Sequence, residues 1–75
     1  MKTHFTDFDT GFPVFVETDD IRAVESLPAI ARSSVCEAIP ARTCVALVHG
    51  DAGQTIIIRE PAETVAAIAG WSLPS

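Results

Sequence analysis

The side chains best suited to chemistry are a few carboxylates, thiols and imidazoles, and one carboxylate lies in a known catalytic motif. Asp9-Thr10-Gly11 matches the loop of aspartic proteases, in which two such loops meet and two carboxylates share a proton. Here Phe12-Pro13 follows where those enzymes place a small residue, and 75 residues are short even for a half-enzyme that dimerises. The motif therefore predicts a hairpin turn rather than a protease.

Two arrangements of ligands could suggest a metal. A calcium loop counted from Asp7 would need Gly at its sixth position and Glu at its twelfth, but Phe12 and Thr18 stand there. The soft ligands have no close Cys-x-x-Cys or His-x-x-x-His spacing, which a zinc site would favour; they are His4, Cys36, Cys44 and His49. We predict solvated turn acids and small packed thiols, with no metal and no cofactor.

A nucleophilic site would need Cys or Ser beside His. Cys44 precedes His49 by five positions, so an unbroken strand would direct the two side chains to opposite faces. A glycine-rich phosphate loop is not indicated either, because Gly50 and Gly53 lead into a strand rather than a helix. What remains open is a small ligand site at the hairpin tip, where His49 and Asp51 flank Gly50.

The composition predicts one folded domain spanning residues 1–75. Apolar residues make up 48% of the chain and charged residues 20%, which is typical of a globular protein. The net charge is −5, and five of the acids crowd into the first twenty residues: Asp7, Asp9, Glu17, Asp19 and Asp20. Because phosphate binding needs a basic stripe, nucleic acid is not an expected partner. No apolar run is long enough to cross a membrane.

The start of the chain and its cysteines indicate a cytoplasmic protein. Met1-Lys2-Thr3-His4 leads into an alternating segment rather than the apolar run of a signal peptide. In a reducing compartment Cys36 and Cys44 would both be free thiols.

The first half of the chain predicts a hairpin followed by a helix. Residues 3–8 and 13–17 alternate as strands, and Asp9-Thr10-Gly11 turns between them. Thr18 or Asp19 would cap a helix whose apolar residues recur at three-residue spacing and which ends at Pro28; they are Ile21, Val24 and Leu27. Residues 28–42 remain ambiguous between a weak helical turn and a loop.

The second half predicts another hairpin and a closing helix. Residues 43–49 and 55–59 are apolar on both faces, which indicates central strands or a face covered by a second subunit. A helix should begin near Pro61, end at Gly70 and allow Trp71 to fold back. The predicted fold class is therefore α+β, a small antiparallel sheet of about four strands with two helices, in the order β-β-α-(variable)-β-β-α.

A set of apolar and turn positions also falls in a familiar order: Gly11 to Val16, Asp20-Ile21, Val24-Glu25, Val45 to Leu47, Gly50, Ile57-Ile58 and Glu60 to Val65. In this order the chain resembles the small bacterial flagellar-operon proteins called FlbD or SwrD and similar compact proteins of bacteria and prophages. The resemblance implies a small bacterial protein of the same hairpin-helix arrangement, and it carries no catalytic residue over. The stretch from Leu27 to Arg42 is longer than the corresponding link in that family.

Three functional hypotheses follow. The first is a non-enzymatic protein-interaction or regulatory module that binds another protein or forms a homodimer, because the strands carry more apolar surface than short helices can cover. Its candidate contact residues are Phe12, Phe15 and Trp71. The second is a small enzyme or ligand-binding protein at His49 and Asp51. The third is an acidic inhibitor of a basic protein surface, using the N-terminal acids.

Overall fold

The computed structural model describes residues 1–71, which form five strands and one α-helix. The strands are β1 (Lys2–Thr6), β2 (Pro13–Glu17), β3 (Ile21–Leu27), β4 (Arg42–His49) and β5 (Ala52–Ile58), and the helix is α1 (Ala62–Ala69). The sheets are an antiparallel pair, β1-β2, and an antiparallel three-stranded sheet in the order β3-β4-β5. The predicted α+β class is confirmed. The predicted count of four strands and two helices is wrong.

The β1-β2 hairpin is closed by the turn that the protease-like motif occupies. The carboxylate of Asp7 accepts hydrogen bonds from the N–H groups of Asp9, at 3.1 Å, and Thr10, at 2.9 Å. Gly11 completes the turn at a φ of 76°, a conformation that favours glycine. Because its oxygen accepts these bonds, chiefly those from Thr10, the pKa of Asp7 lies below its usual range. The motif is thus a structural turn.

The predicted helix between residues 19 and 27 is instead strand β3, preceded by a short 3₁₀ turn at Thr18–Asp20. A β-bulge between Ile21 and Ala23 shifts the strand by one position. Ile21 therefore faces the core before the bulge and Val24 faces it afterwards, which imitates a helical three-residue spacing. β3 is held in the sheet by its antiparallel pairing with β4 and by the burial of Ile21 in the core.

The β4-β5 hairpin forms as predicted, but only one of its strands is central. β4 pairs with β3 on one side and with β5 on the other. Within residues 1–71, β5 has β4 on one side and, on its other side, a single bridge between Asp7 and Ile58. Of the two predicted alternatives, central position of both strands does not hold for most of β5, and cover of one face by a second subunit stays a prediction.

The closing helix lies between Pro61 and Gly70, as the sequence predicts, and spans Ala62–Ala69. Pro61 is the N-cap, in an extended conformation, and Gly70 adopts the left-handed conformation with a φ of 81°. The N–H of Trp71 donates to the carbonyl of Ala66 at 2.8 Å, which satisfies one of the last helical carbonyls. The glycine therefore ends α1 by capping it.

The core lies between the β1-β2 hairpin, α1 and one face of the three-stranded sheet. Its buried apolar residues come from both sheets and from the helix: Phe5, Val16, Ile21, Val45, Ile58, Val65 and Ala66. Since side chains alternate along a strand, Thr43, Val45 and Ile58 face this core, while Cys44 and Ile57 face away from it. We call the face toward this core the inner face of the three-stranded sheet and the opposite face the outer face.

One polar cluster joins the beginning of the chain to its end. The Glu60 carboxylate accepts hydrogen bonds from the N–H of Thr6, at 2.8 Å, and from its hydroxyl, at 2.9 Å. The buried Thr43 hydroxyl donates to the Glu60 carbonyl at 2.6 Å. Burial alone would raise the pKa of Glu60, but the hydrogen bonds from Thr6 outweigh it and lower that pKa. Glu60 thereby fixes β1 against the link between β5 and α1.

Candidate interaction surface

The segment that the sequence leaves ambiguous, residues 28–41, folds into a hairpin-like arm. Ile30 and Ile39 form an antiparallel bridge with N–H to carbonyl distances of 2.7 and 2.9 Å. At the tip, the Ser33 N–H donates to the Cys36 carbonyl at 2.9 Å, and the Ser33 hydroxyl accepts from the Cys36 N–H at 3.2 Å. The arm is thus neither helix nor irregular loop, and its conformation is held by its own hydrogen bonds.

The arm is apolar and yet stands in solvent. Every residue from 28 to 41 is exposed except Ile39, which is partly buried. Val35, at the tip, has 91% of its surface exposed, and Ile30 has 42%. Both charged side chains of the arm are exposed, and the Arg32 Nε lies 3.7 Å from a carboxylate oxygen of Glu37. The arm therefore offers a largely apolar surface with no net charge, and it contributes little to the core.

The outer face of the three-stranded sheet is a second apolar surface. The strand register places Cys44 opposite Ile57 and Ala46 opposite Thr55 on this face. Phe8 adjoins Ile57, with its N–H donating to the Ile57 carbonyl at 2.9 Å. The Arg42 guanidinium lies 6.0 Å from the centre of the Phe8 ring, within cation–π range. The outer-face residues named above are partly buried, except Thr55, which is exposed. The apolar residues next to them along β4 and β5 face inward and belong to the core or pack against it.

The three predicted contact residues are all exposed, but at separate places. Phe12, in the loop before β2, is 71% exposed, and Phe15, on β2, is 67% exposed. Phe15 contacts His4 across the hairpin, with ring centres 5.7 Å apart. Trp71 is 40% exposed just after the helix cap. Their role in binding stays a prediction.

A cleft lies beside the tip of the β4-β5 hairpin, where the ligand-site hypothesis expects one. It has a volume of about 360 Å³ and opens between the end of the β1-β2 hairpin and the inner face of the β4-β5 hairpin. His49 and Asp20 both line it, and the His49 Nδ1 lies 3.3 Å from a carboxylate oxygen of Asp20. Phe15 and Gln54 belong to the same lining.

The geometry of the predicted chemical residues differs from a catalytic arrangement. Asp51 is exposed on the turn and is not among the residues that line the cleft, so Asp20 takes the place beside His49 that the sequence suggested for Asp51. The strand register puts Cys44 on the outer face and His49 on the inner one. Within residues 1–71, no three His, Cys, Asp or Glu side chains come together to hold a metal ion.

The N-terminal acids do not form one continuous patch of free carboxylates. Asp7 is engaged in its turn, Glu17 lies 3.4 Å from the N-terminal ammonium group, and Asp20 pairs with His49. Asp9 and Asp19 are exposed. The acidic-inhibitor hypothesis therefore has fewer free charges available than the sequence suggests.

Comparison with known proteins adds no relative to this geometry. No protein-family model, curated protein or solved structure matches the chain. The resemblance to flagellar-operon proteins accordingly stays a prediction. Along residues 1–71, no helix combines the length and apolar character needed to cross a membrane.

Sequence reasoning missed the arm as a candidate surface. The signal was present in the pair of proline residues, Pro28 and Pro40, that enclose an apolar segment with Ser33-Ser34 at its middle. Prolines tend to stand at the edges of ordered segments, and serine favours turns, which together fit a projecting hairpin. Short apolar stretches give no indication of whether they will be buried, so the exposure of the arm needed the structure.

Proposed function

We propose that this chain is a non-enzymatic protein-interaction module, one domain of residues 1–75, which binds another protein through the arm. The observation that carries the proposal is the exposure of the arm: an apolar segment with its own hydrogen bonds projects from a domain whose core is complete without it. Ordered apolar surface of this kind is typical of a binding site for another macromolecule.

The arm also defines the chemistry of its partner. Because Arg32 and Glu37 pair with each other, the contact surface carries no net charge, and an apolar groove is the complement that would bury Val35 and Ile30. Such binding should change little with salt, whereas an acidic inhibitor would lose affinity steeply as salt rises. Salt dependence therefore separates these two hypotheses.

The proposal places the protein in the cytoplasm. Both thiols are free, Cys36 exposed in the arm and Cys44 partly buried on β4. A reducing compartment would keep an exposed thiol at the tip of a binding arm from forming disulfides with other proteins.

The test is affinity capture from cells of the source organism, followed by titration of the captured protein in purified form. Val35→Asp should weaken binding at least about tenfold, because a charge at the centre of an apolar contact is desolvated without a partner. Ala67→Glu is the control, since it adds a negative charge at an exposed apolar position of α1, outside the arm and outside the candidate contact residues. Neither change should move the urea midpoint. Equal binding by the native chain and the Val35→Asp variant would overturn the proposal.

The cleft supports a second candidate function, the binding of a small ligand. Its volume of about 360 Å³ falls within the range of known ligand sites, and Lys2, Glu17 and His49 supply polar groups at its wall. A fragment screen by ¹H–¹⁵N NMR should then shift the amides of Gln54 and Phe15 together, and His49→Ala should abolish the shifts. Fragments that shift no residue of the cleft would contradict this function.

A further inference from the structure

Strand β5 has an open edge along most of its length. Among residues 1–71, the side away from β4 is covered only near the end of β5, where the Phe8 N–H donates to the Ile57 carbonyl and the Arg59 N–H donates to the Thr6 carbonyl, both at 2.9 Å. Backbone groups of alternate residues point to the same side of a strand. Gly53 and Thr55 therefore direct their N–H and carbonyl groups toward the open edge, and both residues are exposed.

This edge lacks the features by which proteins prevent strand pairing. From residue 52 to residue 58 there is no charge, no proline and no bulge. The other strands are protected: β2 begins with Pro13, β1 begins with Lys2, and β3 carries exposed Arg22 and Glu25 as well as a bulge. Exposed edges without such protection are the ones that pair with another strand.

We propose that β5 pairs antiparallel with β5 of a second copy, which forms a two-fold symmetric dimer with one continuous six-stranded sheet. The outward groups of Gly53 would bond to those of Thr55 in the second copy, with Gln54 on the symmetry axis. An antiparallel strand is complementary to itself about such an axis. The uncharged edge also lets two copies, each with a net charge of −5, approach without close repulsion. The self-complementary register is the property that favours a second copy as the partner of this edge.

Side chains beside the edge would extend the contact beyond the backbone. Gln54, Ala52 and Phe15 all line the cleft, so the inner side of the paired edge would bring apolar surface from both hairpins together.

The test uses opposite charges at the symmetry axis. Sedimentation equilibrium of the native chain should give a mass twice 8.0 kDa at high concentration and a dissociation that follows mass action. Gln54→Glu and Gln54→Lys should each weaken the dimer at least about tenfold, since like charges would meet on the axis. An equimolar mixture of the two variants should restore dimers, now mixed. Ala67→Glu, on an exposed position of α1, is the control that adds the same charge elsewhere.

A monomeric mass for the native chain at every concentration, or a Gln54→Glu variant as dimeric as the native chain, would overturn the proposal. The test of the dimer can be distinguished from the test of binding through the arm. The Val35→Asp variant should remain a dimer, and the Gln54→Glu variant should still capture the arm's partner.

Discussion

At the scale of single residues, the two phenylalanines of the first hairpin have opposite environments. Phe5 is fully buried in the core, and Phe15 is 67% exposed on the other face of the same hairpin. Phe5→Ala should therefore lower the free energy of unfolding by about 3–5 kcal/mol, whereas Phe15→Ala should change it by less than about 0.5 kcal/mol. Urea denaturation measures both. If the Phe5→Ala variant does not fold, Phe5→Leu replaces it and should lower the free energy of unfolding by a smaller amount. Equal effects at positions 5 and 15 would contradict the faces assigned to the two side chains.

Glu60 should give the protein part of its sensitivity to acid. Its pKa is lower in the folded chain than the ordinary value of 4.5, so its stabilising contribution is complete above that pH and is lost as the pH falls through the folded-state pKa. Glu60→Gln removes the charge that strengthens the bonds from Thr6 and should cost about 1 kcal/mol at pH 7.

The measurement compares urea midpoints at pH 7 and near pH 3. The deficit of the Glu60→Gln variant should shrink at the lower pH, because protonation of the native carboxyl group removes the charge that the variant lacks. Glu63→Gln, on an exposed residue of α1, should show no comparable deficit at either pH. A Glu60→Gln deficit that stays the same at both values would contradict the role of the charge.

At the scale of elements, the end of α1 depends on one backbone conformation. Gly70→Ala would force a side chain into the left-handed region, at a φ of 81°, and should lower the free energy of unfolding by about 1 kcal/mol. Gly53→Ala is the matched control, because Gly53 does not adopt a positive φ and no atom lies within 4 Å of an added Cβ. Equal stability of the two alanine variants, measured by thermal unfolding, would show that the cap contributes nothing.

The elements also show where sequence reasoning succeeds and where it fails. Turn residues and the alternation of apolar positions were enough to predict both hairpins and α1, since Gly11, Gly50, Pro61 and Gly70 mark the boundaries of these elements. The same signals gave a wrong prediction at β3, where a bulge produced the apolar spacing of a helix in a strand. Whether Ile21 joins a strand depends on β4, a distant segment, and no local pattern records that dependence.

The candidate surfaces could be predicted only in part. Exposure of Phe12 and Phe15 fits the sequence-based choice of contact residues, and a cleft does lie beside His49. The partner of His49 is Asp20, which lies far from it in sequence and approaches it only because the 3₁₀ turn packs against the end of β4. Open strand edges depend on sheet order, which local spacing does not specify.

At the scale of the whole molecule, the net charge of −5 bears on self-association. Two copies of an acidic chain repel each other at long range, and salt screens that repulsion. Raising NaCl from about 0.02 M to 0.3 M should therefore strengthen the dimer severalfold. Sedimentation equilibrium at both salt concentrations measures this, and a dimer that weakens with salt would indicate an interface based on ion pairs instead.

The junction of Thr6 with Glu60 has a consequence for how the protein is made on the ribosome. Phe5 is buried by residues as late as Val65, and translation needs roughly 3–12 s to add the residues between them. During that time the nascent hairpin keeps its apolar face uncovered. Native packing of this hairpin therefore waits until α1 has left the ribosome.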